Sequence, residues 1–373
     1  MAEVTRTYKV GQHPDLPPPR SEVGVIGWVK YNLLSTPFNV IMTLLALWFL
    51  WSIIPPLFEW AVLDSVWTAE SRKACWAKME VPEGAACWAF IKDRIGLYIY
   101  GFYPAELRWR VNLSFVLLVL AIVSVLYENM PGRKFGLWYA VAFPFITGWL
   151  LVGGLGLTPV DTDQFGGIML TFIIGITGIS FSLPIGILLA LGRRSTLPVI
   201  RILCVLIIEF IRGVPLIALL FIASTMLNYF LPPGTAFDLL LRVLIMVTLF
   251  QSAYIAEVIR GGLQGIPNGQ YEAADSLGLT YAKAHLLIIL PQALKISIPG
   301  IVNTFIGLYK DTTLVLIIGM LDPLGVGRAS LADPVWAGLA REVYIFVAIF
   351  FFICCFGMSR YSLWLENRLR TEN

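Results

Sequence analysis

Eight stretches of this chain are each apolar for long enough to cross a bilayer, and that limits every other choice. The hydrocarbon core is about 30 Å thick and a helix rises about 1.5 Å per residue, so roughly 20 mostly apolar residues make one span. The stretches fall near 38–58, 111–127, 137–157, 165–191, 197–231, 236–259, 286–321 and 343–363. The expected fold is an all-α polytopic membrane protein of about eight transmembrane helices. Charged residues make up 14% of the chain, against about 25% in soluble domains. The net charge of +3 is too small to argue for a nucleic-acid partner.

Two of the stretches are expected to break. The run at 197–231 is too long for one straight span and holds Glu209 and Arg212 just before Gly213-Val214-Pro215. It is expected to be one helix, bent or broken at that tripeptide. The run at 286–321 contains Pro291, Pro299 and Gly300 and is expected to be interrupted. Lys and Arg in short connections set the orientation. Arg6, Lys9, Arg20 and Lys30 precede the first span, Arg133 and Lys134 follow the second, and Arg193, Arg194 and Arg201 follow the fourth. Arg260 and Lys283 follow the sixth, and Arg360, Arg368 and Arg370 close the chain. All fall on one side if both termini are cytoplasmic, while the connections at 158–164 and 232–235 have neither residue. Residues 1–37 read as a polar, Pro-rich cytoplasmic arm, loosely held over 1–20, and not as a cleaved signal.

The chemistry such a chain could carry is narrow. It has two His (His13, His285) and 5 Cys without a metal-ligand spacing, so no zinc, haem or iron–sulfur site is expected. The dipeptide Gly-Lys is absent, which excludes a P-loop. No cofactor is expected, and any ATP used must sit on a partner. Residues 59–110 form a long loop of balanced charge, expected outside. Cys75 and Cys87 in it are a disulfide candidate worth roughly 2–3 kcal/mol in an oxidising compartment; the alternative is two free buried thiols beside Trp76 and Trp88. Cys204, Cys354 and Cys355 lie in spans and read as packing residues.

The polar connection at 260–285 does not suit a membrane. It turns at Pro267-Asn268-Gly269 and enters a short helix, with Glu272 expected in the first turn, where the helix dipole favours a carboxylate. Ala273 and Ala274 leave a nearly bare backbone, and Gly278 ends or bends the helix. A second short helix over 281–289 leads to Pro291. A small-residue face lets another backbone come close, as on a docking knob; the alternative is a solvated helix without a partner.

The spacing Glu272-Ala273-Ala274, three residues, Gly278, nine residues, Ile288, one residue, Leu290-Pro291 resembles the EAA motif of binding-protein-dependent ABC importer permeases. Phe210-Ile211-Arg212-Gly213-Val214-Pro215-Leu216 resembles the family's Phe-Arg-Gly-Thr-Pro-Leu stretch, with Ile211 inserted and Val214 in place of Thr. Ser252-Ala253-Tyr254-Ile255-Ala256-Glu257-Val258-Ile259-Arg260-Gly261-Gly262 is similar to its Ala-Tyr-x-Ala-Glu-x-x-Arg-Gly stretch. Gly269-Gln270-Tyr271, Leu290-Pro291-Gln292-Ala293 and Lys310-Asp311-Thr312-Thr313-Leu314 fit as well. Together they resemble the polar amino acid class (histidine, glutamate, glutamine, arginine, opine) over residues 165–365. A three-helix extension at 38–157 precedes that five-helix type I permease core and resembles the general L-amino acid subgroup of the Aap/Bzt type.

The resemblance implies Gly269, Gln270, Glu272, Ala273, Ala274, Leu277 and Gly278 as the surface that couples to an ATPase. It implies as partners a homologous second permease, two ABC ATPase subunits and a periplasmic amino acid-binding protein, in a bacterial inner membrane, with lipid around the spans. An amino acid substrate carries an ammonium and a carboxylate. Arg212, Gln251, Tyr254, Glu257, Lys310, Asp311, Thr312 and Thr313 are the candidates for its pathway, because intramembrane charges seek such partners. The same residues could equally serve as ion pairs and interhelical hydrogen bonds. Such a subunit does no chemistry of its own. An ion-coupled secondary amino acid transporter would also show broken helices and buried charges, but would need no ATPase.

Overall fold

The computed structural model describes residues 24–79, 84–127, 132–226, 229, 232 and 237–369, and its regular structure among them is helical. The arm expected at 1–20 lies outside the described residues. The chain forms two compact units, one of residues 1–66 and 75–86, the other of residues 67–74 and 87–373.

The first unit holds α1 (Gly24–Asn32) and α2 (Pro37–Phe58), the latter followed by a π turn over Glu59–Leu63. Thr36 caps α2 by accepting the Asn39 N–H at 3.2 Å, and Pro37 opens it where a missing donor costs nothing. Pro55 and Pro56 near its end cannot donate to the ladder, and the backbone loosens into the wider turn that follows. No residue of α2 is buried. The short α3 (Arg72–Trp76) spans the division between the units along the chain.

The second unit holds α4 (Trp88–Tyr100), α5 (Arg108–Leu126), α6 (Arg133–Val152), α7 (Gly167–Arg193), α8 (Pro198–Gly213), α9 (Leu216–Phe221), α10 (Leu239–Gln264), α11 (Asn268–Ser276), α12 (Tyr281–Ala284), α13 (Leu290–Asp311), α14 (Pro323–Ser330) and α15 (Ala340–Leu369). Among the described residues, 7 helical runs are long and apolar enough to cross a membrane, and α8 with α9 makes an eighth if that pair, bent by 103°, is one span. The eight-span expectation therefore holds.

The bend is where the sequence puts it. Proline disfavours helix at the residue before it, and Val214 is extended at φ −108°, ψ 132°. The interruption expected at 286–321 does not occur: one helical run covers Tyr281–Ile318. Pro291 follows a π turn over His285–Ile289, a widened turn that accommodates its missing N–H. Pro299 lies inside α13 and the helix passes through it, because packing against α10 holds the segment on both sides. Gly300 is there for contact: a Cβ on it would meet Val258 Cγ1 at 2.7 Å.

α10 is the most buried span. Its Val243, Val247, Phe250 and Ala253 pack with Leu170 and Ile174 of α7, Leu219 of α9 and Leu308 of α13. Lower along the same helix, Ile255, Ala256 and Ile259 pack with Ala190, Ile208 and Ala293. α5 and α6 join this unit through Leu118, Ala121 and Phe143 against Phe172 and Ile176. The boundary near 157 is thus one of resemblance; packing runs across it. A cavity of about 390 Å³ lies among α5, α6, α7 and α10, with Phe115, Leu151, Phe172 and Leu244 in its walls.

The loop expected at 59–110 contains a real helix. α4 buries Tyr98 fully and packs on α7, α14 and α15. Arg94 pairs with Asp333, the Trp336 indole donates to Asp93 Oδ2 at 3.1 Å, and Arg72 donates to the Ala337 carbonyl. Cys75 and Cys87 are buried and disulfide-bonded. Cys204, Cys354 and Cys355 are free.

Candidate functional site

α10 ends at Gln264, Pro267 extends the backbone, and α11 begins at Asn268. The helix starts earlier than the sequence suggests, so Asn268 and Gly269 are helical and Glu272 lies in the second turn. The dipole argument for Glu272 weakens accordingly, since that field fades beyond the first turn. Ala274 is buried; Gly269, Gln270, Glu272, Ala273 and Gly278 are exposed, and Leu277 is 75% exposed. Gly278 ends the helix at φ +69°, a conformation that favours glycine. Ala273 and Leu277 thus leave apolar surface on the outer side of α11.

Contacts on the inner side fix α11 to the spans. The Tyr271 hydroxyl donates to the Leu263 carbonyl at 3.4 Å, and its ring meets His285 edge-on at 6.0 Å. Arg194 lies 5.8 Å from the Tyr271 ring centre and donates to its hydroxyl at 3.3 Å. Gln292 donates to Gln270 Oε1 at 3.2 Å. α10 and α13 approach so closely above the knob that a Cβ on Gly262 would lie 2.1 Å from Ser297 Oγ.

Two turns before the end of α10, Glu257 gathers an ion cluster. Its Oε1 accepts from Arg193 Nη1 at 2.7 Å, and its Oε2 accepts from Arg260 Nε at 3.0 Å, with Arg212 Nη1 at 3.5 Å. The same Arg193 nitrogen reaches Glu209 Oε1 at 2.8 Å. Glu257 is 14% exposed and Glu209 55%. Arg212 also stands 5.6 Å from the Tyr254 ring centre, within cation–π range. Three guanidinium groups thus meet two carboxylates, leaving one positive charge beside the break after Gly213.

Of the expected pathway residues, the structure brings Arg212, Tyr254 and Glu257 together. Gln251 is buried and spends its amide on the Thr304 carbonyl at 2.8 Å. Thr312 donates to the Tyr309 carbonyl at 2.8 Å and Thr313 to the Lys310 carbonyl at 3.0 Å. Lys310 is exposed and Asp311 half-buried; among the described residues no ion pair ties either to Glu257. Sequence reasoning missed Arg193, which it took for an orientation signal alone. The available hint was charge balance: Glu209 and Glu257 at membrane depth outnumber Arg212.

The family described as binding-protein-dependent transport system inner membrane component matches residues 182–371. The chain is 48% identical over 362 residues to the inner membrane amino-acid ABC transporter permease protein YhdY of Escherichia coli (strain K12), covering 96% of this chain and 97% of that one. It is 45% identical to the glutamate/glutamine/aspartate/asparagine transport system permease protein BztC of Rhodobacter capsulatus, covering 96% of each. These matches run well beyond the family segment into the N-terminal spans. A crystal structure of an amino acid ABC transporter with histidines aligns with TM-score 0.47 and 30% identity, over 54% of this chain and 92% of that one. The chain belongs to the binding-protein-dependent transport system inner membrane component family.

Proposed function

We propose that this chain is the membrane-spanning subunit of an ATP-binding-cassette importer that takes up amino acids across a bacterial inner membrane. The observation that carries the reading is α11, a short helix seated by Ala274 and Tyr271 with Glu272, Ala273 and Leu277 free for a partner. Two ATPase subunits dock there, beside a homologous second permease, and a periplasmic binding protein delivers the substrate on the far side. Both termini lie in the cytoplasm, in keeping with the Lys and Arg distribution. Closure of the ATPases on ATP moves α11, and the spans answer by switching the side to which the pathway opens. The subunit itself breaks no bond.

Substrate recognition rests on groups common to all amino acids. Arg212 and Lys310 suit the carboxylate and Asp311 the ammonium, while Leu314 adds no charge, so broad specificity follows. The names of the similar proteins from Escherichia coli and Rhodobacter capsulatus support amino acids as the cargo. The disulfide-bonded state of Cys75 and Cys87 suits an oxidising outer compartment.

The test is Glu272→Lys. The variant is expected to insert in the membrane in normal amount, to lose its co-purifying ATPase, and to lose amino acid uptake in cells. Wild-type uptake with ATPase still bound would refute α11 as the docking surface.

A further inference from the structure

Arg193 and Arg194 are consecutive at the end of α7, and their side chains hold different parts of the molecule. One Arg193 nitrogen is shared between Glu257 of α10 and Glu209 of α8, at 2.7 and 2.8 Å. Arg194, exposed, lies against Tyr271 of α11 by both its hydrogen bond and its guanidinium face. We propose that this arginine pair is the latch through which movement of α11 reaches the pathway charges, and that Glu209 is the carboxylate it releases. The proposal rests on the importer reading above and names residues which that reading leaves without a task.

The argument is geometric. Consecutive Cα atoms are about 3.8 Å apart, so a shift of α11 that carries Tyr271 with it displaces the anchor of Arg194 and pulls on Arg193. A single nitrogen bonded to two carboxylates on different helices has no slack to absorb that pull. The two carboxylates then fare differently. Glu257 keeps Arg212 and Arg260 when Arg193 leaves. Among the described residues the ion partner of Glu209 is Arg193, so Glu209 is set free.

Glu209 is 55% exposed, and half-exposed ion pairs hold weakly. Release therefore needs little work, which is what a switch thrown by a neighbouring subunit requires. The freed carboxylate stands one helical turn before Arg212 and the break at Gly213-Val214-Pro215, where it joins the charges facing an incoming amino acid. The arrangement thus has two states, one with Glu209 held and one with it available.

The experiment uses the whole complex, co-purified with its ATPase and reconstituted in vesicles with its binding protein, and reads amino acid taken up per ATP hydrolysed. Arg194→Ala, at an exposed position, and Arg193→Gln are each expected to keep ATP hydrolysis while uptake per ATP falls about fivefold or more. Arg193→Lys is expected to restore part of the ratio. If both variants keep the wild-type ratio, the latch is refuted and the importer reading stands. If hydrolysis and uptake fall together with ATPase content, the arginines only support the docking surface and the latch is again refuted. If the wild-type chain retains no ATPase, the importer reading fails and takes the latch with it.

Discussion

The Glu257 cluster and the Lys310–Asp311 pair sit on neighbouring helices, yet they are held in opposite ways. Around Glu257, five charged side chains from α7, α8 and α10 pair with one another within 3.5 Å, with one positive charge in excess. At the end of α13, Lys310 is exposed and Asp311 stands half-buried, with the hydroxyls of Thr312 and Thr313 turned onto their own backbone. Charges locked to each other set how helices sit; charges left open at membrane depth wait for a ligand or a partner. On the proposed reading, α10 is scaffold and switch, and the end of α13 is offered as the place where cargo is met.

The largest effect expected is at Glu257. Glu257→Gln takes the charge away from three guanidinium groups at once, and leaves them uncompensated at a partly buried site. The detergent-solubilised complex should lose thermal stability sharply and uptake should vanish; an unchanged melting temperature would abolish the contrast. Asp311→Asn should do the reverse. Its melting temperature should match wild type, while KM for several amino acids rises together by about tenfold, the loss of one charge-assisted hydrogen bond of about 1.5–3 kcal/mol. Unchanged kinetics would remove Asp311 from the pathway.

The smallest effect concerns a third acid, outside the spans, whose partners are backbone groups. Asp322 is fully buried and caps α14 by accepting the Gly325 N–H at 2.9 Å and the Leu324 N–H at 3.3 Å. Burial raises its pKa to about 6 against those bonds, which lower it. The folded state therefore holds a proton that the unfolded chain has released, and stability is greatest at low pH and falls as pH rises through about 4 to about 6. Melting temperatures across that window should show the slope in wild type and lose it in Asp322→Asn. Equal slopes in both would mean that the carboxyl is solvated.

Much of this was legible in the sequence, for physical reasons. Span positions follow from apolar length, and the bend at Gly213-Val214-Pro215 follows from what proline does to the residue before it. The short helix after α10 shows in its turn at Pro267 and its glycine stop at Gly278. The passage of α13 through Pro299 was not legible, because tertiary packing against α10 decides it. Nor was α4: thirteen residues of mixed polarity gave no period, and Tyr98 is buried by α15 and α14 from the distant end of the chain. Arg193 was hidden because its two carboxylates are remote in sequence and meet only when α7, α8 and α10 assemble.

One close contact has a mechanical consequence. The helical run Tyr281–Ile318 rests on α10 where Ser297 meets Gly262, at a point with no room for even one methyl group. A run that turned as a rigid rod would pivot at that point. About 24 Å of rod lies on the side of α12 and about 31 Å on the other. With those arms a displacement at Tyr281 reaches Thr312, about 22 Å beyond the contact, almost in full and grows only towards Ile318, and Gly262→Ala would shift the pivot rather than either tip.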